Sequence, residues 1–269
     1  MSGSRPGSSE IDTSRPHSAR IYDYFLGGKD WFPVDREAAE RVKTALPVAE
    51  TGARANRDFM HRFTRRLTRD HGVRQFLDIG TGIPTSPNLH QVAQETAPEC
   101  CVVYVDHDPL VLEYADALMR STPEGRTAYV QADVRHDSVL DRPEVRETLD
   151  LQRPVALSML ALLHFVPDEH EPRKMVRSIL DRLAPGSFLV ISHATADFYD
   201  EEQMRRVKEI FKAGGTPVQV RGRKEIEVFF DGLEMLDPGL TPTHRWHPET
   251  PPTMSDAEAF IYAGVARKP

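Results

Sequence analysis

Phe59, Phe63 and Leu67 recur every four residues alongside Met60, which gathers one apolar face and predicts a helix over about 53–70. A shorter helix is expected from Asp35, read as its N-cap, to Leu46, just ahead of Pro47. Beyond residue 73 the period changes. Short apolar, β-branched runs at about 74–79, 101–106, 127–132, 154–160 and 187–193 alternate with helical patterns near 87–97, 109–121 and 170–184. Ser86-Pro87 and Asp108-Pro109 each read as a capping side chain before a proline at the first helical position. Met175, Val176, Ile179, Leu180 and Leu183 share one face of the 170–184 pattern, which stops at Ala184-Pro185-Gly186. Further helices are expected at 200–213 and from Lys224 to Phe230, with closing strands near 241–246 and 259–266.

Strands alternating with helices predict an α/β fold. The expected form is a Rossmann-like, doubly wound, mostly parallel seven-stranded sheet with helices on both faces and an N-terminal helical extension. No internal repeat and no linker between two cores is visible. The expected organisation is a disordered tail over 1–14, rich in Ser, Gly, Arg and Pro, a helical lid or extension over 15–72, and a ligand-binding domain over 73–269.

Composition narrows the partners. A net charge of −7 over 269 residues argues against a dedicated nucleic-acid surface. The two cysteines, Cys100 and Cys101, are adjacent, a poor arrangement for a disulfide. Met1 to Glu10 lacks the apolar core of a signal peptide, and the run Val155 to Val166 is too short to span a bilayer. The expectation is a cytoplasmic protein with no membrane partner. Histidines are scattered, and no cysteine pair has metal spacing, so no metal is expected.

Candidate chemistry gathers at strand ends, where doubly wound sheets bind ligands. Gln75-Phe-Leu-Asp78-Ile-Gly80-Thr81-Gly82 reads as a buried strand running into a glycine turn, which lets backbone approach a nucleotide-like ligand. Asp78 suits the cationic amino-acid end of S-adenosylmethionine better than a pyrophosphate. Val102-Val-Tyr-Val-Asp106 ends in an acid about 24 residues beyond Gly82, suited to accepting both ribose hydroxyls. Asp133, before Val134 at the end of the third strand, suits an adenine amino group, with the neighbouring backbone N–H on a ring nitrogen. As a lone residue it reads more often as a turn Asp, and its place in series with Asp78 and Asp106 is what raises the ligand reading. The apolar run Val155 to His164 carries Ser158 and is a buried central strand whose far end faces the crevice. His164 suits a general base, a substrate contact or a turn cap.

This series resembles the class I S-adenosylmethionine-dependent methyltransferases, whose strand ends hold the methionine, ribose and adenine parts. One departure is plain: the third glycine of the usual acid-x-Gly-x-Gly-x-Gly pattern is Pro84, so the turn must be redrawn there. A second resemblance runs from about residue 15 to the end. It rests on Arg20-Ile-Tyr-Asp-Tyr-Phe-Leu-Gly-Gly-Lys-Asp30, Ala53-Arg-Ala-Asn-Arg57, Tyr104-Val-Asp-His-Asp-Pro109, Ile191-Ser-His193, Phe229-Phe-Asp-Gly232 and Asp237-Pro-Gly239. These are similar to a bacterial family of S-adenosyl methyltransferase proteins long filed as a domain of unknown function. The resemblance implies the fold and the cofactor, and no particular acceptor.

The cofactor-binding set expected from these readings is Asp78, Gly80, Thr81, Gly82, Asp106, His107, Asp133, Val134 and Ser158. Tyr22, Gly28, Lys29, Asn56 and Arg57 join it from the N-terminal segment. Tyr22, Tyr24 and Gly27-Gly28 read either as a lid over the crevice or as a packed cover of the sheet. Asn56 and Arg57 suit either the methionine carboxylate or the orientation of the lid. Candidate catalytic residues are His164, His193 and Tyr24, if the acceptor must lose a proton. Methyl transfer from S-adenosylmethionine to a small-molecule acceptor is therefore the leading expectation. A non-catalytic S-adenosylmethionine-binding regulator and an NAD-dependent oxidoreductase stand as alternatives. Against the second, Thr85 occupies the third fingerprint glycine position, and no Tyr-x-x-x-Lys pair occurs.

Overall fold

In a computed structural model of the chain, residues 13–109, 111 and 120–269 are described. The expected tail over 1–14 falls outside them except for Thr13 and Ser14. The expected 109–121 helix is described only at Pro109, Val111 and its last two positions, with Pro109 and Val111 helical.

Five parallel strands form the heart of the sheet: β1 (Gln75–Ile79), β2 (Cys101–Asp106), β3 (Arg126–Gln131), β4 (Ala156–Leu160) and β5 (Phe188–Ala194). β8 (Ile261–Arg267) runs antiparallel to β5, and the two-residue β6 (Glu234–Met235) and β7 (Thr241–Pro242) pair with β8. Seven strands follow one path in the order β3-β2-β1-β4-β5-β8-β6, with β7 off it. Strand order reverses between β1 and β4, so the connections leave these neighbours toward opposite sides and open a crevice beyond their carboxyl ends.

Both faces of the central strands are apolar because both are covered. Leu77, Ile79, Val103, Leu157 and Ile191 face one core, shared with Val145 of α5 (Pro143–Thr148), Val176 of α6 (Pro172–Asp181) and Ile226 of α8 (Arg223–Glu227). Phe76, Val102, Ala156 and Val190 face the other, shared with Phe59, Phe63 and Leu67 of α3 (Ala49–Asp70) and with α4 (Leu89–Thr96). The four-residue stripe is therefore the contact of α3 with the sheet. Its first two turns instead join α1 (Ser18–Leu26) and α2 (Pro33–Ala45) through Ala49, Ala53, Ile21, Phe25 and Val42. That cluster also touches Ile210 and Phe211 of α7 (Glu201–Ala213). The N-terminal helices thus roof the crevice and meet the helix that follows β5. Among the described residues no helix is long and apolar enough to cross a membrane.

Several boundaries differ from the sequence expectation, each for a local reason. Asp35 is not an N-cap. Pro33 begins α2 after Phe32, and Asp35, two residues in, turns its carboxylate back to the Phe32 amide at 2.8 Å. The same buried carboxylate accepts from the His17 amide and from Arg20 Nε, each at 2.8 Å, and so fastens α1 to α2. The Ser86-Pro87 peptide is cis, and α4 starts after Asn88, whose amide donates to Gln91 Oε1 at 2.6 Å. α6 starts at Pro172 because Glu171 adopts φ 49° after a 3₁₀ turn at Asp168–His170. The expected 241–246 strand is two residues long. Thr243–Arg245 forms a 3₁₀ turn that delivers Trp246 edge-on to Phe59 at 5.3 Å.

Candidate active site

The turn after β1 needs its glycines. Gly80 has φ 75°, and a β-carbon there would stand 2.7 Å from Leu162 Cδ1; Gly82 has φ 67°. The Gly80 amide donates to Val105 O at 2.8 Å and the Gly82 amide to Asp106 Oδ2 at 2.8 Å, stitching the turn to β2. Where the common pattern has its third glycine, Arg57 of α3 takes over. Its Nη2 donates to the carbonyls of Thr85 and Pro87, the latter at 2.8 Å, and holds the Pro84-containing loop from the side.

Two carboxylates at neighbouring strand ends sit in different environments. Burial raises the pKa of Asp106, but His107 and the amides of Asp108 and Gly82 outweigh it, and the group stays below the ordinary carboxylate range. Three of its roughly four acceptor positions are used, one of them by the exposed His107 ring, whose Nδ1 lies 3.4 Å from Oδ1. Asp78, buried on β1, is pushed up to about 6 by desolvation, against the hydrogen bond from Ser158 and the charge of Arg57. A cation placed beside Asp78 would relieve that cost.

The roof supplies complementary groups. Tyr22 of α1 donates to Ala53 O at 3.1 Å and accepts from Asn56 Nδ2 at 2.9 Å. That bond leaves Asn56 Oδ1 with no hydrogen-bond partner among the described residues, on a side chain only 3% exposed. Arg57 Nε is likewise buried and unpartnered. His17 at the start of α1 brings Nδ1 to 3.1 Å from Asp108 Oδ2, and the next residues pass over the glycine turn, with Ala19 Cβ 3.9 Å from a β-carbon built on Gly82.

The ends of β4 and β5 form the remaining wall. Ala161 has φ 49°, a strained value for a residue with a β-carbon, held by its amide donating to Ser192 O and Oγ at 3.0 and 2.9 Å. The reversal sends Leu162 under Gly80 and leads into a 3₁₀ turn carrying His164. His164 Nδ1 accepts from the Ala194 amide at 3.3 Å, which puts the ring proton on Nε2. Burial, aided by His193 and Arg221, holds its pKa well below the usual histidine value.

Tyr22, Asn56, Arg57, Asp78, Gly80, Thr81, Gly82, Asp106, His107 and His164 all line one cavity beneath the roof. A family model described as S-adenosyl methyltransferase matches residues 4–269. The chain belongs to that family. This methyltransferase uses S-adenosylmethionine. It is 49% identical to a DUF574 family protein from Streptomyces avermitilis MA-4680, whose solved structure covers 97% of this chain with 100% of its own at a TM-score of 0.93. A candidate methyltransferase from Thermobifida fusca YX is 36% identical, with 96% and 97% of the two chains covered and a TM-score of 0.89. The plantazolicin methyltransferase BpumL is 12% identical over 93% of this chain and 95% of its own, at a TM-score of 0.56, a likeness of fold alone. No curated protein matches the chain.

The other expected site residues of the methyltransferase lie elsewhere. Ser158 is fully buried beneath the cavity and reaches it through Asp78. Asp133 is clamped by Arg135, whose Nη2 lies 2.6 Å from Oδ2, and is held at about 2; Val134 packs on the sheet core. Gly28 is pressed against Asp23, whose Oδ1 would lie 2.0 Å from an added β-carbon, and its carbonyl accepts from Trp31 Nε1 at 2.9 Å. Lys29 is exposed, and the Tyr24 hydroxyl donates to Glu40. His193 has both ring nitrogens engaged, Nδ1 by Ala194 O at 2.7 Å and Nε2 by Arg221 at 3.0 Å, and burial pushes it down to about 3.

His17, Thr195 and the apolar cavity residues of α7, Met204, Val207 and Phe211, line the cavity without being among the residues expected from the sequence. Only position could have flagged His17, which stands at the N-cap of α1 and has its own side chain accepting from Ala19 N. Among the described residues no group of three His, Cys, Asp or Glu side chains is arranged to hold a metal.

Proposed function

We propose that the cavity holds S-adenosylmethionine across the ends of β2, β1 and β4, with a small-molecule methyl acceptor beyond it. When bound, the cofactor supplies an electrophilic methyl group. The observation that carries this reading is the orphaned pair in the roof, Asn56 Oδ1 and Arg57 Nε, on the same cavity as the destabilised carboxylate of Asp78. A free amino acid end offers what each lacks. Its ammonium satisfies Asn56 Oδ1 and lowers the cost of an ionised Asp78, and its carboxylate accepts from Arg57 Nε. Asp106, kept ionised, accepts from the ribose hydroxyls, one of them displacing the exposed His107. Gly80 and Gly82 allow backbone to approach the sugar.

The chain's own contribution to rate is alignment and exclusion of water under the α1–α3 roof. His164 holds its proton on Nε2, so it serves the acceptor as a hydrogen-bond donor and not as a base.

Titration calorimetry with S-adenosylhomocysteine and with 5′-methylthioadenosine, which lacks the amino-acid end, tests the assignment. Asn56→Ala should weaken S-adenosylhomocysteine by about tenfold or more and leave methylthioadenosine unchanged. Equal losses for both ligands would contradict it.

A further inference from the structure

The cavity is chemically divided. Among the described residues, each carboxylate and guanidinium that lines it, Asp78, Asp106 and Arg57, belongs to β1, β2 or α3. The end beyond β4 is built differently. Leu46 at the close of α2, Met204, Val207 and Phe211 of α7, Val220, and Phe260 at the start of β8 pack as one apolar cluster and line the same cavity. No Asp, Glu, Lys or Arg is among the cavity-lining residues from α2, α7 or the segment 218–220.

Sheet order fixes the sequence of these zones. Asp106 ends β2 and Asp78 lies on β1; His164 follows β4, and Thr195 and α7 follow β5. Three inter-strand spacings of about 4.8 Å separate β2 from β5, so the cavity spans about 14 Å across the strand ends. A molecule lying across β2, β1 and β4 leaves the β5–α7 end for its reaction partner. The polar groups nearest that boundary are neutral. His164 offers Nε2–H, and Thr195 Oγ1, already accepting from the Asp197 amide at 3.2 Å, keeps its O–H to donate.

We infer that the methyl acceptor is a predominantly apolar small molecule, neutral in solution and phenol-like in having one hydroxyl on an apolar body, with the body against α7 and the hydroxyl at His164. Its proton leaves to water, and the oxygen so formed accepts from His164 Nε2–H and Thr195 Oγ1–H. As the oxygen–methyl bond forms, the methyl–sulfur bond breaks and S-adenosylhomocysteine is the leaving group. A charged group at that end would be desolvated with no counter-charge among the described residues that line it. An apolar ring that covers Val207 and Phe211 removes apolar surface from water on both sides and is stabilised by that burial. The inference rests on the cofactor reading above.

The test uses the full chain saturated with S-adenosylhomocysteine and titrated with 2-naphthol or 6-hydroxy-2-naphthoate. 2-Naphthol is expected to bind, and the carboxylate to bind at least about tenfold more weakly. Val207→Asp should weaken 2-naphthol by about tenfold or more while the affinity for S-adenosylhomocysteine stays within about twofold. Val207→Thr keeps the shape and should give a smaller fall in the same direction, which preserves the test if the aspartate variant does not fold. No binding of 2-naphthol, equal binding of the two probes, or indifference to substitution at Val207 would overturn the acceptor class alone. Failure of S-adenosylhomocysteine to bind would overturn both readings.

Discussion

The Gly82 amide donates to Asp106 Oδ2 at 2.8 Å, so the glycine turn after β1 and the acid that closes β2 form one hydrogen-bonded unit. That bond and its companions from Asp108 and His107 keep a buried carboxylate ionised. Asp106→Ala should therefore lower affinity for S-adenosylhomocysteine and for methylthioadenosine alike, by about 10- to 100-fold, because both carry the ribose. Calorimetry on the two ligands checks this, and unchanged affinity would remove the ribose assignment.

Asp78 predicts a pH dependence of stability. Its folded pKa of about 6 lies above the ordinary carboxylate value of 3.8, so the folded state binds a proton that the unfolded chain has released. The associated stability is fully present below about pH 4 and is lost as pH rises through about 6, a change of order 3 kcal/mol. Relative to the wild type, apo Asp78→Asn should be flatter between pH 4 and 6 and more stable at pH 8 in urea denaturation. Parallel profiles for the two proteins would refute a carboxylate whose desolvation outweighs Ser158 and Arg57.

The ring of His164 should stay neutral. Its Nδ1 accepts from the Ala194 amide and its surroundings oppose a positive charge. In nuclear magnetic resonance of ¹⁵N-labelled histidine, His164 should show one neutral tautomer with the proton on Nε2 from pH 5 to 8. A midpoint near 6.5 would restore it as a candidate base.

The roof should loosen as a unit when its buried ion pair is broken. Asp35 and Arg20 are 0% and 3% exposed, and the carboxylate also holds the His17 and Phe32 amides. Asp35→Asn removes the charge opposite a buried guanidinium, a change that costs about 3–5 kcal/mol in comparable pairs. Hydrogen exchange should rise across Ser18–Leu26 while β1, β4 and β5 keep their protection. Uniform acceleration through the sheet would mean that the roof is not a separate cooperative unit.

Much of the sheet was legible because apolar runs such as Val102 to Val105 are long, β-branched and cut off by polar turns. Asp78 and Asp106 were legible for a related reason: strand period and spacing together fix which residues stand at the carboxyl edge. The apolar end of the cavity was not. Met204, Val207 and Phe211 repeat at helical spacing, and nothing in a sequence separates a stripe facing a cavity from one facing a core. His193 stood at a strand end like Asp106, but Arg221, 28 residues on, closes off its Nε2. Asp133 was legible as an acid after β3, while its capture by Arg135 depends on the turn geometry between them. The orphaned atoms of Asn56 and Arg57 emerge only when α1 and α3 are packed together.

One cavity under the N-terminal roof is proposed to bind the cofactor, with its amino-acid end at Asn56 and its ribose at Asp106. A crystal structure of the complex with S-adenosylhomocysteine tests it most directly. The ammonium nitrogen is expected within about 3 Å of Asn56 Oδ1, the ribose hydroxyls within about 3 Å of Asp106, and the sulfur facing the apolar end lined by Val207 and Phe211. A ligand bound with its amino-acid end away from Asn56 and Arg57, or outside this cavity, would contradict it.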